Sequence, residues 1–567
     1  AVVAVAVAVA AVAVAAHGVL ADDVTATVDV SPGAGSAGDF AHYWKRCVGS
    51  GHMLLGTRVD WQRHLRMARD ELGFTGIRGH GLFDDDMSAA PTKAGEYQFY
   101  NHDQVFDYLV ELGMKPVVEL SFMPSAFVSC DKGKGDGSNP CNYAFGDHGG
   151  YKGLTMPPND FEDWYSLVRA MASHLVDRYG LDEIKTWNFE VWNEMWGVGF
   201  PEPYMSLYNA SARAVKDVDP VLRIGGPATM QTQFIAGFIN ATKYASPPIP
   251  VDFVSTHFYP TDPQCQTSAT KSDPDCFAHT VLAAQALAQQ AGLPFYITEY
   301  NDGLGGSSRD DASAAAFVFR HVGLMEKLDM FSWWTFSDVF EENWMLADPF
   351  HNGYGLLTIN DVRKPAWQAF KFLMNAGDER LPVTGFVSPV DVNATVSVLA
   401  TRNSSAPGLG VNLYIANYHR LGNVNRYKCD KVKGQCVLDS SGSFTDPALC
   451  NANCGTAECV GRCPGTEVPP MVGDCPPATV TIKLKHAAGQ ELPAEVTLQR
   501  LDSTHGNPLK EWTEQGSPTY PTPAQTQAMQ AAAEKMDDGT IAVVKVSDTE
   551  ASITFPMEGY STVYIAL

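Results

Sequence analysis

The chain has 567 residues, 45% of them hydrophobic and 11% aromatic, enough for two or three domains and a large core. Its 40 Lys and Arg against 64 Asp and Glu give a formal net charge of −24, which argues against nucleic acid and anionic membrane surfaces as partners and mildly against a polyanionic substrate. The plain reading of that acidity is solubility.

Residues 1–16 are almost pure Ala and Val, followed by His17-Gly18-Val19-Leu20-Ala21. Residues 1–21 therefore read as a secretory signal peptide lacking its basic start, with Val19-Leu20-Ala21 as a small-residue cleavage site. An uncleaved membrane anchor is the alternative, although the run is short for a span. No membrane span is expected after removal. Residues 22–49 form an N-terminal segment whose alternating stretch at 24–30 is offered as an extra strand for a later sandwich.

From 50 to 378, short apolar runs alternate with helical periodicity. The expected strands are 53–57, 76–78, 116–120, 186–192, 223–225, 253–257, 295–298 and 331–335. The expected helices are 61–72, 104–112, 161–179, 205–218, 281–290, 312–328 and 366–374. This pattern predicts an α/β fold, a (β/α)8 TIM barrel with its active site at the C-terminal ends of the strands. From 379 to 567 helical periodicity fades and short alternating runs predict an all-β sandwich. A Cys-rich insertion interrupts it at 429–475, and residues 505–540 suggest an excursion with a short helix.

The twelve cysteines suit an exported protein. Cys130 with Cys141, and Cys265 with Cys276, each close a short polar loop and are expected to pair. Seven more lie between Cys429 and Cys475, so one is free or pairs elsewhere, with Cys47 as a candidate. A zinc site is the rival reading, but the spacings are irregular and no His interleaves. Sequons at Asn209, Asn240, Asn393 and Asn403 are compatible with glycosylation and a secreted location.

Two carboxylates stand out. Glu194 ends Trp187-Asn188-Phe189-Glu190-Val191-Trp192-Asn193-Glu194, and Glu299 ends Phe295-Tyr296-Ile297-Thr298-Glu299. Each follows an apolar, aromatic run, after the fourth and seventh expected strands. A carboxylate at such a place is paired or used. Two of them, 105 positions apart and facing across one pocket, are the machinery of glycoside hydrolysis. Trp192 and Trp196 beside Glu194 suit a proton donor with a raised pKa, and the more polar setting of Glu299 suits its ionised partner.

Further runs stand out: Gly73-Phe74, Ile77-Arg78-Gly79-His80-Gly81, Asp84 to Ser88, Val118 to Ser125, Phe189 to Glu194, Gly225 to Ala228, Val254 to Pro260, Thr298-Glu299 and Trp334 to Glu342. Through them the chain resembles glycoside hydrolase family 39, the family of β-xylosidases and α-L-iduronidases, over residues 40–380. The runs Ser121 to Ser125 and Trp334 to Asp338 look closer to the β-xylosidase branch. The resemblance implies retaining double displacement, with Glu194 as acid/base and Glu299 as nucleophile. It implies that Asn193 binds the sugar 2-OH and that His80, His257, Tyr259, Glu341 and Glu342 line the pocket for the sugar to be released. No metal or cofactor is expected, and the partner is an oligosaccharide or polysaccharide glycoside. Three departures bear on specificity. Gly79 stands where a Phe is usual and is expected to loosen a pocket wall. Met195 replaces a Pro. The loop from Cys130 to Gly150 is longer. The function expected is an exo-acting β-xylosidase. The alternatives are a relative for a β-glucoside, β-galactoside or α-L-iduronide, or a secreted carbohydrate-binding or structural protein without turnover. Oligomeric state is not legible.

Overall fold

A computed structural model describes residues 22–90, 95–130, 141–144, 153–267, 270, 273, 275–304, 309–342, 345–384, 395–405, 408–419, 427–430, 435–438 and 475–567. The apolar segment 1–21, Asn393 and Cys450, Cys454, Cys459 and Cys463 lie outside these.

Eight parallel strands close a barrel: β1 (Val48–His52), β2 (Gly76–His80), β3 (Lys115–Leu120), β4 (Asn188–Val191), β5 (Arg223–Thr229), β6 (Phe253–His257), β7 (Phe295–Tyr300) and β8 (Met330–Trp333). β8 returns to β1 through the pair Trp333 and Val48. Helices Val59–Leu72, Tyr100–Glu111, Phe161–Tyr179, Tyr204–Val218, Ile235–Ala241, Cys276–Gln290, Ala312–Val322 and Pro365–Leu373 follow the strands in turn. Phe161–Tyr179 illustrates why they form. Asp160 caps its N-terminus by accepting from the Glu162 amide, Trp164, Leu167, Val168, Met171, Ala172 and Leu175 make one buried stripe, and Gly180 ends it.

Two expectations move, and one helix is present that was not expected. The first barrel strand is Val48–His52, and 53–57 is a 3₁₀ helix. The barrel thus begins two residues before the boundary read at 50. The strand Val-Gly-Ser-Gly-His has too little apolar signal to be seen, and its glycines serve packing. A Cβ on Gly49 would overlap the Trp334 ring, and one on Gly51 would come within 2.7 Å of Phe340. The helix Ile235–Ala241 spans only two turns, too short for a periodic pattern. The helix expected over 312–328 stops at Val322, next to Gly323.

Two antiparallel-rich sheets of five and seven strands pack as a sandwich around Val480, Ile482, Leu484, Leu413, Ile553 and Ile565. The strand Asp22–Asp29 pairs in parallel with Ala478–Lys485 over eight residues, and Gly38–Asp39 pairs with Glu379–Arg380. The N-terminal segment is therefore stitched into the C-terminal sheets before the chain enters the barrel.

Cys130 is bonded to Cys141 and Cys265 to Cys276. Cys47 is free. It is buried in the barrel floor against Val117, Phe253, Tyr296 and Met330, and this burial pushes its thiol up to about 12. A partner cysteine would have to enter that apolar floor, so the proposed pairing with the 429–475 group does not form. No helix among the described residues is long and apolar enough to cross a membrane.

Two helices, Pro508–Glu514 and Pro523–Ala533, leave the sandwich and lean on the loop after β8. Trp512 and Met529 pack there on Phe350 and Val362, and Gln368 donates to the Ala533 carbonyl. Trp512→Ala is expected to lower stability by about 3–5 kcal/mol, because a buried indole is lost and the loop cannot collapse onto the gap. Urea unfolding of the two proteins side by side measures this.

Candidate active site

The site is built on charges that point into the barrel. Strand alternation turns Arg78 and His80 inward from β2, and β3, β4 and β7 supply Glu119, Glu190 and Glu299. Arg78 is fully buried. Its guanidinium donates to Glu190 (2.5 Å), Glu299 (2.6 Å) and the Asn193 side-chain oxygen (2.8 Å), and lies 2.8 Å from Glu119. Burial would lower its pKa, but Glu119, Glu190 and Glu299 hold it well above the ordinary value.

Glu299 sits within β7 rather than after it. Its Oε1 accepts from Arg78 and lies 3.4 Å from His80 Nε2. Its Oε2 accepts from the Tyr259 hydroxyl at 2.9 Å and lies 3.5 Å from His257 Nδ1. Donors thus converge on both oxygens of a side chain that is 5% exposed.

Glu194 lies three residues beyond β4, on a loop held in an uncommon conformation. Trp192, Glu194 and Met195 have φ of 71°, 51° and 55°, left-handed values that cost a residue with a Cβ about 1 kcal/mol or more. The surroundings hold the turn. The Trp192 amide donates to Leu120, the Trp192 indole to Trp196, and the Glu194 amide to Ala228 of β5. A proline, fixed near φ −65°, cannot take the Met195 conformation, so this departure reshapes the backbone next to Glu194. Glu194 Oε1 lies 2.9 Å from His257 Nδ1. Burial raises the Glu194 carboxyl to about 7, against the lowering pull of His80 and Arg78. Single donor atoms from Glu194, His257 and Glu299 all lie within 4.8 Å of one another.

The remaining residues expected in the pocket divide. Burial lowers the His257 imidazole to about 4, so it is neutral. His80 Nδ1 lies 2.8 Å from Glu119. Burial would depress His80, but Glu119, Glu342 and Glu299 raise it to about 9. Glu342 points inward, with Oε1 3.4 Å from His80 Nε2, within ion-pair reach but outside hydrogen-bond geometry. Burial first, then the charges of Glu299 and Glu194, raise it to about 8. Asn193 Nδ2 is buried with no hydrogen-bond partner among the described residues. Glu341, 29% exposed, turns away from this group and lies 3.4 Å from His52 Nδ1.

His52 Nε2 in turn faces Asp84 at 3.5 Å and Asp86 at 3.2 Å. These three offer donors that suit a small divalent cation, but a protonated His52 already supplies the positive charge. Burial works against that proton, and Asp86 and Glu341 raise His52 to about 10 regardless. The pocket wall is aromatic. His80 packs on Trp334 at 4.7 Å, and Phe122 stacks on Trp196 at 5.9 Å. Gly79 does not loosen this wall. A Cβ there would run into Met53 Sδ at 2.5 Å and the Gly51 carbonyl at 2.7 Å, so its outward side is already filled. Sequence reading missed Glu119, Glu190 and His52 as members of the charged group. The available signal was a charged residue inside a strand two positions from another inward-facing group.

A closed parallel barrel that brings two glutamates face to face at the C-terminal ends of its fourth and seventh strands defines a glycoside hydrolase, an enzyme whose substrate is a glycan. Residues 14–415 match the family described as Glycosyl hydrolases family 39, and the chain belongs to it. It is 32% identical over 504 residues to a β-xylosidase of Caldicellulosiruptor saccharolyticus, covering 85% of this chain and 86% of that protein. It is 36% identical over 368 residues to a β-xylosidase of Geobacillus stearothermophilus, covering 60% and 70%. The crystal structure of a monomeric β-xylosidase from Caulobacter crescentus CB15 superposes with a TM-score of 0.70 at 25% identity, over 95% of this chain and 98% of that one.

The raised Glu194 pKa has a stability consequence. Folded Glu194 holds its proton up to about pH 7, whereas its ordinary value is 4.5, so between these pH values the folded state binds more protons. Its contribution is fully present below pH 4.5 and is lost as pH rises to 7. Glu194→Gln is therefore expected to gain thermal stability over the wild type across this window, with no further gain below or above it. Thermal unfolding midpoints of both proteins at pH 4, 6 and 8 check this.

Proposed function

We propose that the enzyme is a retaining, exo-acting β-xylosidase that releases xylose from non-reducing ends by double displacement. The observation that carries the mechanism is the approach of Glu194 and Glu299 carboxyl oxygens to within 4.8 Å. That supports the short separation of retaining enzymes, roughly 5–5.5 Å between carboxyl groups, over the roughly 6.5–9.5 Å of an inverting pair.

In this reading Glu194, protonated below about pH 7, gives its proton to the departing glycosidic oxygen. Glu299 attacks the anomeric carbon from the opposite face, oriented by Arg78 and Tyr259. Glu194, now a carboxylate, takes a proton from a water whose oxygen attacks the anomeric carbon and breaks its bond to Glu299, which releases the sugar with retained configuration and the Glu299 carboxylate restored. Neutral His257 stays beside Glu194 through both steps. Asn193, its oxygen held by Arg78, points its unpartnered Nδ2 at the sugar 2-OH. His80, Tyr259, His257 and Glu342 line the glycone pocket, and Glu341 acts there only through His52.

The β-xylosidase assignment among glycones rests on the similar β-xylosidases and on the charge of the pocket. A uronide needs a cation for its carboxylate, and the Arg78 guanidinium is already shared among Glu119, Glu190, Glu299 and Asn193. The apolar start of the chain and the two disulfides support an exported enzyme. A panel of nitrophenyl glycosides is expected to show the β-xyloside as the best substrate. A higher kcat/KM on the glucoside, galactoside or iduronide overturns the glycone assignment.

The roles of the two glutamates separate by leaving group. Glu194→Ala is expected to lose about 10²–10⁴-fold on alkyl xylosides and much less on an activated aryl xyloside, with azide giving the retained glycosyl azide. Glu299→Ala is expected to lose activity on every leaving group, with azide giving the inverted product. For the wild type, kcat/KM on alkyl xylosides should fall tenfold per unit above about pH 7, as Glu194 loses its proton. Product NMR and a pH–rate profile test these outcomes. Reversed azide stereochemistry means the roles are exchanged.

A further inference from the structure

The residues around Arg78 do not account for an aromatic pair on the loops that follow β4 and β5. Phe200 and Phe234 stack with ring centroids 5.0 Å apart and planes at 18°. Phe200 lies six residues beyond Glu194 on the β4 loop. Phe234 stands on the loop after β5, the strand whose Ala228 carbonyl receives the Glu194 amide. Both therefore belong to the mouth of the barrel.

Phe234 is 44% exposed, so core packing does not account for it. Its backbone nonetheless takes a left-handed φ of 61°, as do Gln231 at 59° and Thr232 at 54°. Three such residues within four positions are held against their local preference. Gly237 allows the pair to form, since a Cβ there would come within 3.0 Å of the Phe200 ring. The β6 loop completes the patch. Gln264 donates to the Gln231 carbonyl at 3.0 Å, while its own Oε1, shielded from water, has no hydrogen-bond partner among the described residues. Two residues earlier, burial raises Asp262 to about 7, with the charge of Glu194 adding to the shift, which ties this loop to the proton donor.

A proton donor touches the glycosidic oxygen, so the loops that flank it face the leaving group rather than the released sugar. We propose that Phe200 and Phe234 form a stacking shelf for the leaving-group pyranose of a β-linked oligosaccharide. The apolar C–H face of a pyranose with equatorial substituents matches the exposed aromatic face of Phe234. The shelf rests on the glycosidase reading above and adds where the rest of the chain binds.

The test compares two substrates with one glycone: xylotriose, which has a leaving sugar to stack, and β-xylosyl fluoride, which has none. In Phe234→Ala the ratio of kcat/KM for xylotriose to that for the fluoride is expected to fall about tenfold, chiefly through KM. Phe234→Tyr is expected to restore it, which a general loss of folding would not allow. An unchanged ratio in both Phe234→Ala and Phe200→Ala overturns the shelf. A wrong glycone shows differently, as no turnover of either substrate by the wild type, and the same ratio is then measured with the glycone that the panel identifies.

Discussion

A guanidinium buried at the centre of a barrel has to be neutralised where it stands, and that requirement organises this protein. Arg78 is removed from water, and an unpaired charge there would cost several kcal/mol. The surrounding strands meet the demand with Glu119, Glu190 and Glu299, and the β4 loop adds the Asn193 oxygen. Two of these partners belong to the proposed chemistry and two do not. Glu119 also holds His80, and Glu190 also accepts from Thr298 beside Glu299. The buried charge thus fixes the positions of groups on four strands at once, and Glu299, the nucleophile of the proposed mechanism, inherits that rigidity.

The second constraint is steric and acts on backbone. The β4 loop presents Glu194 through left-handed residues that the sequence does not favour, and hydrogen bonds from its amides to β3 and β5 hold it there. Gly49 and Gly51 let Trp334 and Phe340 press on β1, and Trp334 in turn packs on His80. Small residues in one strand thereby set the position of an aromatic wall that belongs to another.

The two domains are joined by more than their linker. The N-terminal strand runs through the sandwich before the barrel starts, and helices from the sandwich support the loop after β8. That loop carries Gly353 and Gly355, which bind the buried cluster of Lys364, Asp310 and Asp338. The mouth of the barrel is braced from outside as well as from within.

Strand–helix alternation made the barrel legible, since period-2 and period-3.6 patterns are local properties of a chain. The strand 253–257 and the helix 161–179 coincide with those of the structure because both are apolar, of ordinary length and bounded by clear stop signals. Glu194 and Glu299 were legible for a related reason, as carboxylates at the ends of apolar runs. The first strand was not, because its glycines serve a contact with residues 334 and 340, far away in sequence. Nor was the split of Glu341 from Glu342, two adjacent identical residues sent to different clusters by a turn of backbone. By itself the sequence determined the fold class, the two facing carboxylates and the loop disulfides, all of which depend on nearby residues. Only the tertiary structure decided that Arg78 links Glu299 to Asn193, that Cys47 stays unpaired in the barrel floor and that Phe234 meets Phe200. Each of these depends on which strand lies beside which, and that is settled by closure of the barrel rather than by any stretch of chain.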